Sequence, residues 1–312
     1  MTILQKILRV LRSPHPVQRL IQAVNKSPLR HLTKCIAVML CWSTYSKRRS
    51  LGAQTELNSQ ESKLLAELQQ KGFVEVSELI PERDRQALLE QGMERVRIAD
   101  ELKQKEIVKT KAHWVRLSDE DISGKNALTS NPMVKISLHE PLLRLVAKYL
   151  KQAPFLEYVL LTLSHYAGPE LKSSQLWHFD RDNTDMLKFF VYLTDVNSVE
   201  DGPFTLIDKN SSANVNNSFF MRHLTDDEIF QSVGRQEVIQ MIRPKLSCFV
   251  VDTGRCYHMG SRVQENHRRL LYTALFIGLP SNYYGAGNEK FEAPDFEHLA
   301  PLQKAALKVK EF

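Results

Sequence analysis

Two histidines and one aspartate, at positions 178, 258 and 180, stand in a pattern that suits metal chemistry. The stretch Gln175-Leu176-Trp177-His178-Phe179-Asp180 sets an imidazole and a carboxylate two residues apart, where a polar loop gives way to an apolar run. In an extended segment, residues i and i+2 point to the same face. Both side chains then reach one ion. Further on, Asp252-Thr-Gly-Arg-Cys-Tyr-His258-Met-Gly-Ser261 offers a second imidazole. Two imidazoles and a carboxylate form the facial set that leaves open positions on Fe(II). The triplet alone is a weak signal: a chain with ten histidines carries about one such spacing by chance. Taken singly, His258 also fits an ordinary core histidine.

Context strengthens the metal reading. The triplet sits at the entrance to one β-rich run, and His258 follows another, Phe249-Val-Val-Asp252. Open positions on such a metal suit 2-oxoglutarate, chelating through its 1-carboxylate and 2-keto oxygen, and O2. The distal carboxylate of 2-oxoglutarate needs a fixed, permanently charged partner, and the planar guanidinium grips a carboxylate through two bonds. Arg268 and Arg269 follow His258 at the head of a third apolar run. Neighbours on a strand face opposite ways, so only one of them points inward; the spacing leaves open which.

These residues need a β scaffold, and the second half of the chain supplies its pattern. Residues 157–166, 186–194, 204–207, 238–242, 246–251 and 270–277 are short β-rich runs separated by Gly, Pro and Asn. That rhythm predicts an all-β sandwich or barrel. Lys188, Phe190 and Tyr192 share one strand face, a pattern that ordinary strand alternation also explains. Earlier, helices are predicted from Ser59 to a stop at Gly72, from Pro81 to about Leu102, and over Leu138–Leu150. Phe73–Val76 alternates as a short strand. Residues 105–130 read as irregular, Ser46–Ser59 as a polar linker, and Pro301–Lys310 as a short amphipathic helix.

The 312 residues carry a net charge of +6, unevenly spread. Residues 1–50 hold ten of the 42 Lys and Arg and no acid, so the remainder has 32 basic against 36 acidic residues, a net of −4. The body is therefore slightly acidic and gives no case for nucleic-acid binding. Four cysteines without zinc spacing are too few for a disulfide framework. They predict reduced thiols in a cytoplasm-like compartment.

At the N-terminus, Ile3, Leu4, Ile7, Leu8 and Leu11 share a helical face opposite Lys6, Arg9 and Arg12. The apolar run Cys35–Trp42 is well short of the roughly 20 residues that span a bilayer. Three readings of residues 1–45 stay open: a helical hairpin packed on the body, peripheral contact with a membrane surface, or an organellar transit peptide. The sequence is silent on oligomeric state.

Trp177-His178-Phe179-Asp180, the Asp201-Gly202-Pro203 turn, and His258-Met-Gly-Ser through Arg268-Arg269-Leu-Leu together resemble the phytanoyl-CoA dioxygenase family of Fe(II)/2-oxoglutarate-dependent oxygenases. The resemblance begins near Lys71-Gly-Phe-Val-Glu-Val and is strongest over 174–279. It implies a mainly β fold with flanking helices: a double-stranded β-helix (jelly roll, cupin-like) core behind an N-terminal helical region. The expected division is an extension and linker at 1–55, a helical buttress at 56–154, the catalytic core at 155–285 and a tail at 286–312. The resemblance makes His178, Asp180 and His258 the iron ligands and selects Arg269 for 2-oxoglutarate. It places Tyr192 beside the cosubstrate, with Lys188 and Ser261 as further candidate contacts. The family often has a Gly-Ser-His turn where this chain reads Asp208-Lys-Asn-Ser-Ser212, a departure that bears on the local loop. Related halogenases lack the carboxylate, so Asp180 favours hydroxylation. The implied partner is a small molecule, acyl or lipid-like by family analogy alone. The other class of reading is a non-catalytic jelly-roll binding protein held at a membrane surface; an intact triad with its arginine argues against it.

Overall fold

The computed structural model describes Val24 and residues 27–103, 110–111, 113–117, 130–218, 222–281 and 296–308. The expected helix at 2–12 lies outside them. Helices α1 (Arg30–Leu40), α2 (Trp42–Gln54) and α3 (Ser59–Lys71) lead into β1 (Phe73–Glu75) and the long α4 (Glu82–Lys103). Strands β2 (Thr110–Lys111) and β3 (Trp114–Arg116) precede α5 (Glu140–Leu150). The remaining strands are β4 (Phe155–His165), β5 (Met186–Tyr192), β6 (Thr205–Ile207), β7 (Val238–Gln240), β8 (Cys248–Val251), β9 (His258–Met259) and β10 (Arg268–Ile277). Helix α6 (Pro301–Leu307) closes the described chain.

The strands form two antiparallel sheets. One runs β1-β8-β5-β10-β4-β3-β2, the other β7-β6-β9. Strands β5, β8 and β10 are buried along both faces, which explains their nearly continuous apolar runs. Alternation then sorts the residues. Leu187, Phe189, Val191, Cys248, Val250, Leu270, Tyr272 and Ala274 pack with the helices. Phe190, Tyr192, Phe249, Val251 and Leu271 turn to the other side and meet Phe204 and Leu206 of the smaller sheet. Phe249 sits within ring-packing distance of Phe190, Tyr192 and Phe204. Truncating it to Ala would cost about 3–5 kcal/mol. The chain is thus a core of two packed antiparallel sheets with helices against the outer face of the larger one.

The helices follow their sequence signals. Asn58 caps α3, accepting from the Glu61 backbone while Glu61 accepts from the Asn58 backbone. Gly72 ends α3 at φ +82°. Helix α5 turns Leu142, Leu145, Val146 and Leu150 into the core.

Two expectations are corrected. Ser46–Ser59 is not a linker, since α2 runs to Gln54. Arg48 inside it is fully buried and donates to the carbonyls of Ala153, Pro154, Ala305 and Lys308. A Cβ on Gly52 would meet the Gln152 backbone at 2.7 Å, so α2 lies tight on the chain after α5. Polar composition suggested solvent; here the guanidinium is a buried donor to carbonyls left over at chain and helix ends. Of the expected irregular region 105–130, the described residues 110–111 and 114–116 form β2 and β3, with β3 pairing on β4, and most of the rest lies outside the described residues. Two- and three-residue strands are too short to show a period.

Candidate metal centre

His178 and His258 are brought together by the backbone. Each donates its amide to the other's carbonyl at 3.0 Å, an isolated antiparallel bridge between residues far apart in the chain. His258 also belongs to β9, paired with Leu206 of β6. The rings lie side by side, with centroids 4.3 Å apart. Asp180 is held on the same side by its amide, which donates to Thr253 O at 2.8 Å. Trp177, nearly fully buried, donates Nε1–H to Asp226 Oδ1 at 2.7 Å. Asp226 is gripped through both oxygens by Arg262 at 2.9 Å. The segment carrying the first imidazole is therefore anchored on three sides.

The side chains converge. One ligand atom each from His178, Asp180 and His258 falls within 4.8 Å of the other two. His178 Nε2 is 3.9 Å from Asp180 Oδ1, and His258 Nε2 is 3.4 Å from Asp180 Oδ2. The Nδ1 atoms face the carbonyls of Leu176 at 2.8 Å and Cys256 at 3.0 Å. A carbonyl only accepts, so each Nδ1 carries a proton, and the neutral form of either ring turns the Nε2 lone pair toward the centre. Burial, and then the neighbouring His258, push the His178 pKa down to about 3 despite Asp180; the ring is neutral, as a ligand must be. Burial would raise the Asp180 pKa, but Lys188 and the two imidazoles outweigh it and hold the carboxyl well below its usual range. Asp180 Oδ2 lies 2.7 Å from Lys188 Nζ, yet accepts no hydrogen bond of proper direction. The contact is an ion pair that leaves lone pairs free. A buried, ionised, under-bonded carboxylate oxygen beside two imidazole lone pairs fits a divalent cation.

Arg269 is 2% exposed. It stands opposite Ser164 on β4, and its terminal nitrogens donate to Gly202 O, to Ser261 Oγ at 3.2 Å and to Ser164 Oγ at 3.5 Å. Among the described residues no carboxylate pairs with it, and Nε is without an acceptor. Gly260 passes close over the guanidinium, where a Cβ would sit 3.5 Å from Nη2. Burial pushes the Arg269 pKa down. Arg268 points the other way, to Asp100 of α4 at 3.3 Å, and both are exposed.

The remaining candidates are placed as follows. Lys188 lies between Asp180 and Asp182, at 2.7 and 3.7 Å. Ser261, at φ +59°, hydrogen-bonds Ser164 Oγ at 2.9 Å. Tyr192 is fully buried and its hydroxyl accepts from the Phe204 amide at 2.8 Å. Burial raises its pKa, and the neighbouring Arg269 opposes that shift. A cavity of about 320 Å³ joins the triad, Lys188, Ser261 and Arg269, and is walled by Trp114, Tyr158, Leu160, Phe190, Phe204 and Leu271. Tyr192 stands behind this wall. Sequence reasoning missed Ser164, Asp226 and Arg262. Only cross-strand register reveals Ser164, and nothing in the spacing pairs 226 with 262. The departure at 208–212 is a helical turn capped by Asp208. All four cysteines are free, Cys35 and Cys41 exposed, Cys248 and Cys256 buried.

No protein-family model matches the chain, and no curated protein sequence matches it. Solved structures do. EctD from S. alaskensis in its apoform aligns over 81% of this chain and 87% of its own at 13% identity, with a TM-score of 0.50. EctD with 2-oxoglutarate and 5-hydroxyectoine aligns over 73% and 80% at 12% identity, again with a TM-score of 0.50. HygX from Streptomyces hygroscopicus, with nickel, 2-oxoglutarate and hygromycin B bound, aligns over 72% and 88% at 14% identity, with a TM-score of 0.45. At 12–13% identity the likeness to EctD is one of fold.

Proposed function

We propose that the chain is an Fe(II)- and 2-oxoglutarate-dependent oxygenase of the phytanoyl-CoA dioxygenase type, built on a double-stranded β-helix core within 155–285, that hydroxylates a small molecule. One observation carries the reading: three metal-competent side chains and a buried guanidinium without a counter-charge open into the same cavity. A structural neighbour of the same fold, EctD, was solved with bound Fe and with 2-oxoglutarate, which supports it.

His178, Asp180 and His258 hold the metal. When bound, Fe(II) with 2-oxoglutarate supplies the O2-dependent oxidation, coupled to decarboxylation of the cosubstrate. The chain supplies position. Arg269 takes the distal carboxylate of 2-oxoglutarate in a fixed fork, oriented by Ser261, Ser164 and Gly202 O, with Tyr192 bracing it from behind. Lys188, 2.7 Å from Asp180 Oδ2, helps to hold that carboxyl ionised, as a metal ligand must be. The apolar wall of Trp114, Leu160, Phe190, Phe204 and Leu271 excludes water and orients the substrate, and about 320 Å³ suits a small molecule. Asp180 fills the position that a halide would need, which favours hydroxylation.

The test is anaerobic addition of Fe(II) and 2-oxoglutarate, read by the weak visible charge-transfer band of the chelated complex. A band that requires both components supports the proposal. Absence of the band while iron is bound sinks it.

A further inference from the structure

Helix α1 is built inside out. Its residues advance by about 100° each, which places Leu32, Ile36, Met39 and Leu40 on one side and Lys34 on the other. The charged side is the buried one. Lys34 is buried and donates to Gly278 O at 2.8 Å and Pro280 O at 2.6 Å, and it pairs with Asp185 at 3.2 Å. The apolar side faces solvent: Met39 is 68% and Leu40 81% exposed, and Leu32, Ile36, Leu29 and the adjoining Trp42 are all exposed. Six of the nine large exposed apolar side chains among the described residues lie in this one stretch. A contiguous patch of that kind marks an interaction surface.

We propose that this face docks on an anionic membrane surface. Charge identifies the occupant. Residues 1–50 carry ten basic side chains and no acidic one, of which Lys34 and Arg48 are buried against the body, while the rest of the chain nets −4. Lys47 and Arg49 stand exposed just beyond the apolar stripe. A bilayer with acidic headgroups accepts the apolar side chains and attracts the cations around them, and it repels the body. A second copy is disfavoured by the same charges, because a two-fold contact sets two such basic ends against each other. Among the described residues no helix is long and apolar enough to cross a membrane, so α1 lies on the surface.

The experiment is co-sedimentation of the full chain with phosphatidylcholine vesicles, with and without about one third phosphatidylserine. The expected result is binding to the acidic vesicles alone, weakened by salt. Met39→Glu and Leu32→Glu each lower the partition roughly tenfold or more, and Lys47→Glu with Arg49→Glu lowers it independently of apolar contact. All of these positions are solvent-facing, and unchanged circular dichroism and melting temperature establish intact folding. Equal partition onto both vesicle types, or none onto either, overturns the proposal. So does a dimer in light scattering that Met39→Glu dissociates while vesicle binding is absent, which assigns the face to a second copy. The oxygenase reading does not enter any of these outcomes.

Discussion

Arg269→Met separates a cosubstrate anchor from a structural arginine. The guanidinium is 2% exposed and has no carboxylate partner among the described residues. The protein therefore bears an uncompensated buried charge, softened by Gly202 O and two serine hydroxyls. Methionine removes that charge but leaves those oxygens with one donor fewer. The two effects oppose each other, and the net change is within about 2 kcal/mol. An unfolding entropy of about 2.1 cal/mol/K per residue gives roughly 0.66 kcal/mol/K for a chain of 312 residues, so the ligand-free Tm moves by at most about 3 °C. The ligand response is different. With Fe(II) under anaerobic conditions, 2-oxoglutarate at a hundred times its Kd stabilises the parent by about 2.7 kcal/mol, a rise of roughly 4 °C. Losing one partner of a buried charge pair costs about 2–5 kcal/mol of binding, which cuts the rise at that concentration to about 1 °C or less. Differential scanning fluorimetry reads both quantities. Arg268→Met, which breaks only an exposed pair, keeps the full rise. A full 2-oxoglutarate shift in Arg269→Met refutes the anchor and the reasoning from its missing counter-charge.

Asp226→Asn removes the charged acceptor shared by Trp177 and Arg262. The segment carrying His178 loosens, and metal affinity measured by calorimetry falls about tenfold, as for other groups that orient a ligand; unchanged affinity would show that the anchor does not reach the imidazole. Arg48→Ala leaves four carbonyls without their donor in a buried seam. We expect a loss of about 3 kcal/mol or more, or roughly 5 °C in Tm. Acid stability follows Asp84. Burial pushes its carboxyl up, but Lys135 and His139 overcome this and hold it below 3.8. A folded pKa below the unfolded one gives stability that is present above about pH 3.8 and lost as pH falls through the folded value. In Asp84→Asn that loss already exists at neutral pH, and the fall in Tm below pH 4 is shallower than in the parent. An identical acid limb in both proteins contradicts the assignment.

Residue order alone determined much of this protein. The β-rich apolar runs at 157–166, 186–194 and 270–277 marked the strands at the centre of the larger sheet, because a strand buried on both faces must be apolar nearly throughout. Gly72 and Pro81 marked helix ends through end chemistry that is local in the chain, while the Asn58 cap emerged only in the structure. The two-residue spacing of His178 and Asp180 was readable for the same reason, since extended backbone places them on one face. What depends on contact between distant segments was not readable. The triad is completed by a backbone bridge from 178 to 258, and Arg269 is told apart from Arg268 by which face of β10 meets the smaller sheet. Ser164 joins Arg269 only through strand register. Arg48 looked solvated because its side chain is charged, yet it is buried because four carbonyls from elsewhere converge on it. Spacing fixes what neighbours along a strand or helix share; packing alone fixes which faces meet.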